Sequence, residues 1–195
     1  MKKIKYIAEL CQNHNGKDKN VDLMLERCAR SGADFVKLQY IFSKNLTFRP
    51  IFEKGLRKKN KILAIKRPFN DEFKRLSKLE LKDKDYEKFV NKCKKFNLNP
   101  MITCFSRDSV NKLYNMGYKN IKIASYDCSS FQMVREISKK FDNIVMSTGA
   151  SYLDEIRKSF EILKKSKKKF SLLHCVTIYP TPLNKININK IRYLQ

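Results

Sequence analysis

Histidine is nearly missing from this chain: among 195 residues there are two, His14 and His174. Acidic residues are scarce beside basic ones, 19 against 43, which leaves a formal charge of +24. No Cys-x-x-Cys pair occurs among six scattered cysteines (Cys11, Cys28, Cys93, Cys104, Cys128, Cys175). Several of them fall inside apolar patterns, so buried free thiols explain them better than a disulfide framework or a zinc site. No apolar run approaches the ~20 residues of a membrane-crossing helix. Met1-Lys2-Lys3-Ile4 does not lead into the apolar stretch and small-residue cleavage site of a secretory signal. A cytoplasmic location is therefore expected. Repeats, low-complexity linkers and any sign of a second domain are also lacking.

What is present suits one folded domain: 42% apolar and 32% charged residues over a length that can bury a real core. The excess positive charge is spread along the chain, for example at Lys88, Lys92, Lys94, Lys95, Lys164, Lys165, Lys167, Lys168 and Lys169. Lacking interleaved aromatics or a nucleic-acid motif, it reads as lysine-rich outer helix faces, and nucleic acid is not the expected partner.

The chain is organised around two stretches, Tyr6 to Gly16 (YIAELCQNHNG) and Phe35 to Tyr40 (FVKLQY). Each reads as a short strand, with an amphipathic helix between them carrying Val21, Met24, Leu25 and Cys28. Strands are expected at about 5–10, 34–40, 100–104, 120–124, 143–146 and 170–175. Helices are expected at about 19–31, 83–96, 131–140 and 152–165, with a short one around Val110, Leu113 and Met116. From about 41 to 81 the alternation breaks into a long basic stretch, either a functional lid or a disordered insert.

Six alternations of strand and helix argue for a parallel sheet with helices outside it. An open doubly wound sheet suits six strands, whereas a closed barrel needs eight. The strand ends favour the barrel, because all six carry polar residues: Glu9; Lys37 and Gln39; Thr103; Lys122 and Ser125; Ser147 and Thr148; His174 and Thr177. A barrel gathers every such end around one mouth. The expected fold is thus α/β, a (β/α) TIM-type barrel with six of eight βα units.

Lys37 and Lys122 are cations within apolar strands, where a lysine needs an anionic partner. Thr103, Ser106, Ser125, Ser147 and Thr148 add hydroxyl donors, and Ser147-Thr148-Gly149 precedes a helix whose N-terminal amides favour an anion. Together these describe a pocket for a small phosphorylated or carboxylated molecule. Glu9 and Asp127 add proton-transfer groups, or acceptors for the hydroxyls of a sugar-like ligand. Taken singly, each has a plainer reading: a strand lysine snorkels to an edge, and a strand-end serine caps a helix.

Taken as strings, Ile7-Ala8-Glu9, Asn13-His14-Asn15-Gly16, Gly32-Ala33-Asp34-Phe35-Val36-Lys37-Leu38-Gln39, Thr103 with Phe105-Ser106-Arg107, Lys122-Ile123-Ala124-Ser125, Ser147-Thr148-Gly149, Leu172-Leu173-His174-Cys175 and Tyr179-Pro180 resemble the sialic acid synthase family. That family includes the pseudaminic and legionaminic acid synthases, and the likeness runs from about residue 4 to 195. It implies a (β/α) barrel condensing phosphoenolpyruvate with an N-acylated amino sugar such as N-acetylmannosamine, forming a nonulosonic acid and releasing phosphate. A divalent metal, Mn or Mg, is the implied cofactor. On this resemblance Lys37, Thr103, Lys122, Ser125 and Ser147 hold the phosphoenolpyruvate phosphate and carboxylate. Glu9, Gln39, Asp127 and Tyr179 face the sugar or reacting centre, with Glu9 as catalytic carboxylate.

The sequence departs from that pattern in three places. Cys11 stands where a small or glycine residue is usual, and Asp127 where glutamate is often found. The family's two metal-binding histidines belong to the last two βα units, beyond Gln195, and its C-terminal antifreeze-like domain does not appear. His14 is expected to be structural and His174 a satisfied core histidine, so no metal ligand is expected here. The alternative reading is a catalytically inactive relative that binds an anion or a partner. Either way, the unpaired edges of strands one and six call for a homodimer or a complementing chain. Another phosphoenolpyruvate-using barrel, such as a 3-deoxy-aldulosonate phosphate synthase, fits the Asn-His-Asn-Gly and His-Cys-x-x-x-Tyr-Pro strings less well.

Overall fold

The computed structural model describes residues 4–59, 61–178 and 180–195, the side chains of residues 61 and 62 excepted. Each expected strand and helix forms. In chain order they are β1 (Ile7–Cys11), α1 (Asp18–Arg30), β2 (Phe35–Tyr40), α2 (Pro50–Lys54), β3 (Leu56–Lys58), β4 (Lys61–Ala64), α3 (Phe69–Ser77), α4 (Asp83–Lys95), β5 (Asn99–Cys104), α5 (Ser109–Asn115), β6 (Asn120–Ile123), α6 (Phe131–Lys140), β7 (Asn143–Ser147), α7 (Leu153–Lys165), β8 (Lys169–Leu173) and α8 (Lys190–Leu194).

Six strands form one sheet, in the order β1-β2-β5-β6-β7-β8, with every neighbouring pair parallel. That order follows the chain and never reverses. A doubly wound sheet needs a reversal at which its helices change face; here there is none, which is the winding of a (β/α) barrel. Register sorts the side chains. Leu38, Ile102, Ile121, Ile144 and Phe170 form one row, and Tyr40, Cys104, Ile123, Met146 and Leu172 another. Both rows join the hydrophobic core with the helices. From α4 come Tyr86, Phe89, Val90 and Cys93, and from α1 Val21 and Leu25. Burial of each large apolar side chain contributes roughly 1.5–3 kcal/mol.

The opposite pleat parity carries the polar residues: Gln39, Thr103, Lys122, Val145 and Ser171 in one row, and Glu9, Lys37 and Met101 in the next. Hydrophobic packing against the helices thereby dictates which residues face the other way.

Residues 41–81 are not a structureless insert. They hold a 3-10 turn at Ser43–Asn45, then α2, the antiparallel β3-β4 hairpin, and α3. Pro50 opens α2, where its missing N–H costs nothing. The Glu53 carboxylate accepts from Phe69 N–H at 2.7 Å and Glu80 from Ser43 N–H at 2.6 Å. Arg75 donates to Gln12 at 3.2 Å, tying the excursion to the loop after β1. Gly16 marks where they meet: its φ is +69°, and a Cβ there would lie 2.7 Å from the Lys78 carbonyl oxygen. Among the described residues no helix is long and apolar enough to cross a membrane.

Candidate active site

β1 and β2 lie side by side with Glu9 opposite Lys37. Lys37 is 3% exposed; its ammonium pairs with the Glu9 carboxylate and donates to Thr103 Oγ1 at 2.9 Å. One strand further on, Lys122 stands in register with Thr103. Burial, and then the charge of Lys37, hold the Lys122 ammonium's pKa below the usual lysine range, with Cys175 and Glu9 pulling it back up. Glu9 in β1, Lys37 in β2, Lys122 in β6 and Cys175 just past β8 thus share one electrostatic neighbourhood. Glu9, 42% exposed, keeps water on its carboxylate and neutralises only one of the two cations. Among the described residues Lys122 has no hydrogen bond or ion pair. Such a site attracts an anion, because the second ammonium is partly desolvated and uncompensated.

The loops after β6 and β7 interlock beside it. Ser125 Oγ accepts from Gly149 N–H at 3.1 Å, and Ser151 Oγ lies within hydrogen-bonding distance of the Ser125 and Gly149 carbonyls. Ser147 is buried, and among the described residues its hydroxyl has no partner, which leaves it a donor to spare. A Cβ on Gly149 would come within 2.6 Å of Thr177 Oγ1 and 3.0 Å of both Ser125 Oγ and the Cys175 carbonyl; glycine is what lets the β7 and β8 loops pass. The expected helix-amide anion site is corrected here. α7 starts six residues after Ser147, and the Glu155 carboxylate already accepts from Tyr152 N–H at 2.7 Å at that terminus.

Gln39 lies next to Thr103 in the polar row, half-buried. Asp127 sits elsewhere. It ends a 3-10 turn at Ser125–Asp127, is 5% exposed, and leaves Oδ2 without a partner among the described residues. Burial pushes its pKa up to about 6, against a hydrogen bond with Ser130. Its electrostatic neighbour is Cys104, on the helix-facing side, and it lines a recess of about 570 Å³ with Arg107, Ser130 and Gln132. Asp127 is therefore not in the Glu9–Lys37–Lys122 cluster. Tyr179 lies outside the described residues.

The two histidines divide. His14 is buried with Nδ1 accepting from Gly16 N–H at 3.1 Å, and burial lowers its pKa, so it holds the Asn-His-Asn-Gly turn as a neutral imidazole. His174 is not a satisfied core residue: it lies just past β8, half-buried, with Nε2 on the Ile186 carbonyl at 2.7 Å and Nδ1 buried without a partner among the described residues. Cys11 takes a left-handed φ of 53° at the bulge after Glu9, a backbone suited to glycine, and its N–H donates to Glu9 Oε1 at 3.0 Å. That bend aims the carboxylate. Cys175 is a contributor that sequence reasoning misses, since a thiol beside a strand-end histidine carries no signal of what β6 brings next to it.

A parallel α/β sheet wound in chain order, with lysines and hydroxyls gathered on the polar face of its strands, has the architecture of a barrel-type protein. The NeuB family matches residues 24–195, and the chain belongs to that family. It is 34% identical to the N,N'-diacetyllegionaminic acid synthase of Campylobacter jejuni over 200 residues, covering 100% of this chain and 58% of that protein. With the enzyme of the same name from Legionella pneumophila the identity is 25%, covering 96% and 53%. The chain thus spans a little over half the length of these curated relatives. In fold it is similar to an N-acetylneuraminic acid (sialic acid) synthetase from Leptospira borgpetersenii, with a TM-score of 0.83 and 24% identity over 98% of this chain and 60% of that one.

Proposed function

We propose that this chain carries the phosphoenolpyruvate site of a synthase that condenses phosphoenolpyruvate with an N-acylated amino sugar, releasing phosphate and forming a nonulosonic acid. The observation that carries this reading is the Lys37–Lys122 pair. One ammonium is fixed by Glu9 and Thr103; the other has no partner, and the free Ser147 hydroxyl belongs to the adjoining strand end. A phosphate or carboxylate supplies the negative charge that Lys122 lacks.

In this reading Lys37, Thr103, Lys122, Ser125 and Ser147 bind phosphoenolpyruvate. Glu9, joined to Lys37 and still solvated, takes or returns a proton at the reacting centre, with Gln39 beside it. Asp127 and Tyr179 remain proposed sugar contacts, Asp127 from its separate recess. Residues 41–81 act as a lid over the mouth, supported by the Arg75–Gln12 bond and the close approach of Lys78 to Gly16. The outer edges of β1 and β8 pair with no other strand among the described residues; a second copy or a complementing chain covers them.

The divalent metal that the family resemblance implies does not fit the donors described. No group of three or more His, Cys, Asp or Glu among the described residues is placed to hold one, and one nitrogen of each histidine is already engaged. No step is assigned to a metal. The test is calorimetric titration of the chain with phosphoenolpyruvate, alongside an assay of phosphate release with N-acetylmannosamine and manganese. Saturable binding competed by inorganic phosphate supports the reading; its absence refutes it. Slow or undetectable turnover is the expected result.

A further inference from the structure

The bend at Cys11 is a strained stretch of backbone, and what holds it lies outside its strand. Pairing with β2 slips after Glu9, which makes Leu10 an extra residue, buried in the core, and leaves Cys11 at a φ of +53°. A residue with a Cβ keeps that conformation only when its surroundings fix it. Two side chains do so here. The Cys11 N–H donates to Glu9 Oε1 at 3.0 Å, and the Cys11 backbone also bonds to the ring of His14.

His14 is itself firmly placed. It is 1% exposed, and its carbonyl accepts from the Lys17 N–H and from Asn20 Nδ2, both at 3.0 Å, so the start of α1 fixes its backbone. Ring Nδ1 accepts from the Gly16 N–H at 3.1 Å. In a neutral imidazole the proton then sits on Nε2. That N–H meets Cys11 at its carbonyl, because the Cys11 N–H is a donor already given to Glu9. One ring therefore joins two backbone turns. On one side is Cys11, which holds Glu9. On the other is Gly16, where the excursion rests on the loop after β1, with the Lys78 carbonyl oxygen 2.7 Å from where a Cβ would stand.

Glu9 needs such support. Its side chain is 42% exposed, and a solvated carboxylate gains little from a single ion pair. Lys37 takes Oε2; with no second anchor the carboxylate is free to turn about its last bond. The Cys11 N–H supplies that anchor at Oε1, but only while the Cys11 peptide keeps its left-handed turn. We propose that His14 is a positioning residue for Glu9: its ring, seated between the Gly16 N–H and the Cys11 carbonyl, locks the bulge whose N–H sets the direction of the carboxylate. The seat of the excursion and the aim of Glu9 thus depend on one side chain. This deepens the function proposed above and rests on it only for what Glu9 does once aimed.

The test reads the full chain by nuclear magnetic resonance and needs no turnover. In wild type a long-range proton–nitrogen correlation should show His14 as the neutral Nε2–H tautomer; an Nδ1–H ring overturns the proposal, and this measurement needs no variant. Two substitutions then divide the ring's bonds. His14→Gln keeps an N–H at the Nε2 position and gives up the acceptor for Gly16, whereas His14→Asn keeps an acceptor at the Nδ1 position and gives up the donor to Cys11. Each loses one hydrogen bond, so the two should melt alike, and amide hydrogen exchange separates them. His14→Asn should speed exchange at the Cys11 amide about tenfold or more, the worth of a bond to a charged acceptor, reaching the rate of Glu9→Ala where that acceptor is gone. His14→Gln should leave Cys11 close to wild type and speed Gly16 instead. Equal effects on Cys11 in the two variants, or a wild-type Cys11 rate in His14→Asn, overturns the positioning role and leaves His14 holding its own turn only. Failure of wild type to bind phosphoenolpyruvate in calorimetry refutes the function proposed above, while the amide pattern still decides the role of His14; a Cys11 amide indifferent to His14→Asn with phosphoenolpyruvate binding intact refutes the positioning role alone.

Discussion

Replacing Lys37 by methionine separates binding from folding. The side chain is 3% exposed and makes two contacts, the Glu9 pair and the 2.9 Å bond to Thr103. Thr103 is buried, and losing its donor costs about 1–3 kcal/mol. Glu9 is 42% exposed, so water takes over the freed carboxylate and the lost pair is worth about 0–1 kcal/mol. Against this, an ammonium no longer has to be desolvated, a penalty of several kcal/mol per ion, and Lys122 loses a repulsive neighbour. These opposing contributions leave stability within about 2 kcal/mol of wild type. Binding has no such compensation: a charge-assisted bond to phosphate or carboxylate is worth about 1.5–3 kcal/mol, or roughly 10–150-fold in Kd. Urea unfolding should give a nearly unchanged midpoint, while titration with phosphoenolpyruvate shows the loss. The Lys122 pKa should rise once Lys37 is gone, moving the alkaline limb of binding to higher pH. Phosphoenolpyruvate affinity within about twofold of wild type would refute the argument, because that is less than one such bond supplies.

Asp127 predicts a pH effect of definite sign. Its pKa is raised by burial to about 6, so its contribution to stability is full below the ordinary aspartate pKa and is lost as pH climbs through about 6. The swing is at most ~3 kcal/mol for a rise of about two units, and Asp127→Asn should abolish this inflection in urea midpoints measured from pH 4 to 8. Gly149→Ala should destabilise by about 1–3 kcal/mol and weaken phosphoenolpyruvate binding, because its methyl group would press on Ser125 and Thr177; unchanged melting would contradict the packing described. Five of the six free thiols should split clearly under a thiol reagent. Cys11, Cys28 and Cys175, half-buried, should label first. Cys93 and Cys104, buried and pushed up to about 12 by desolvation, should label only on unfolding.

Much of this was legible in the residues. Period-two alternation in FVKLQY put Lys37 and Gln39 on one face, and the register agrees. Helical spacing identified the buried stripes of α1 and α4, and in α7 it found Ile156 and Leu163 but also pointed to Leu153, which is exposed. The 41–81 stretch was not legible, because α2 and the β3-β4 hairpin are too short to show a period and are held by distant bonds such as Glu80 to Ser43. His174 shows the same limit: an apolar neighbourhood suggested a satisfied core residue, yet the strand ends one residue earlier and Nδ1 finds no partner.

Local pattern by itself determined the strands, the helices, which faces they bury, and the inventory of lysines and hydroxyls available at the strand ends, since each depends on neighbours within a turn or a pleat. Only the tertiary structure decided that Lys37 would be matched by Glu9 while Lys122 has no partner among the described residues, that Asp127 would lie by Cys104 on the helix-facing side, and that Arg49 would come within 6.0 Å of two aromatic rings. The lysine outcome depends on groups 28 and 85 positions apart in the chain, and no local periodicity specifies any of the three.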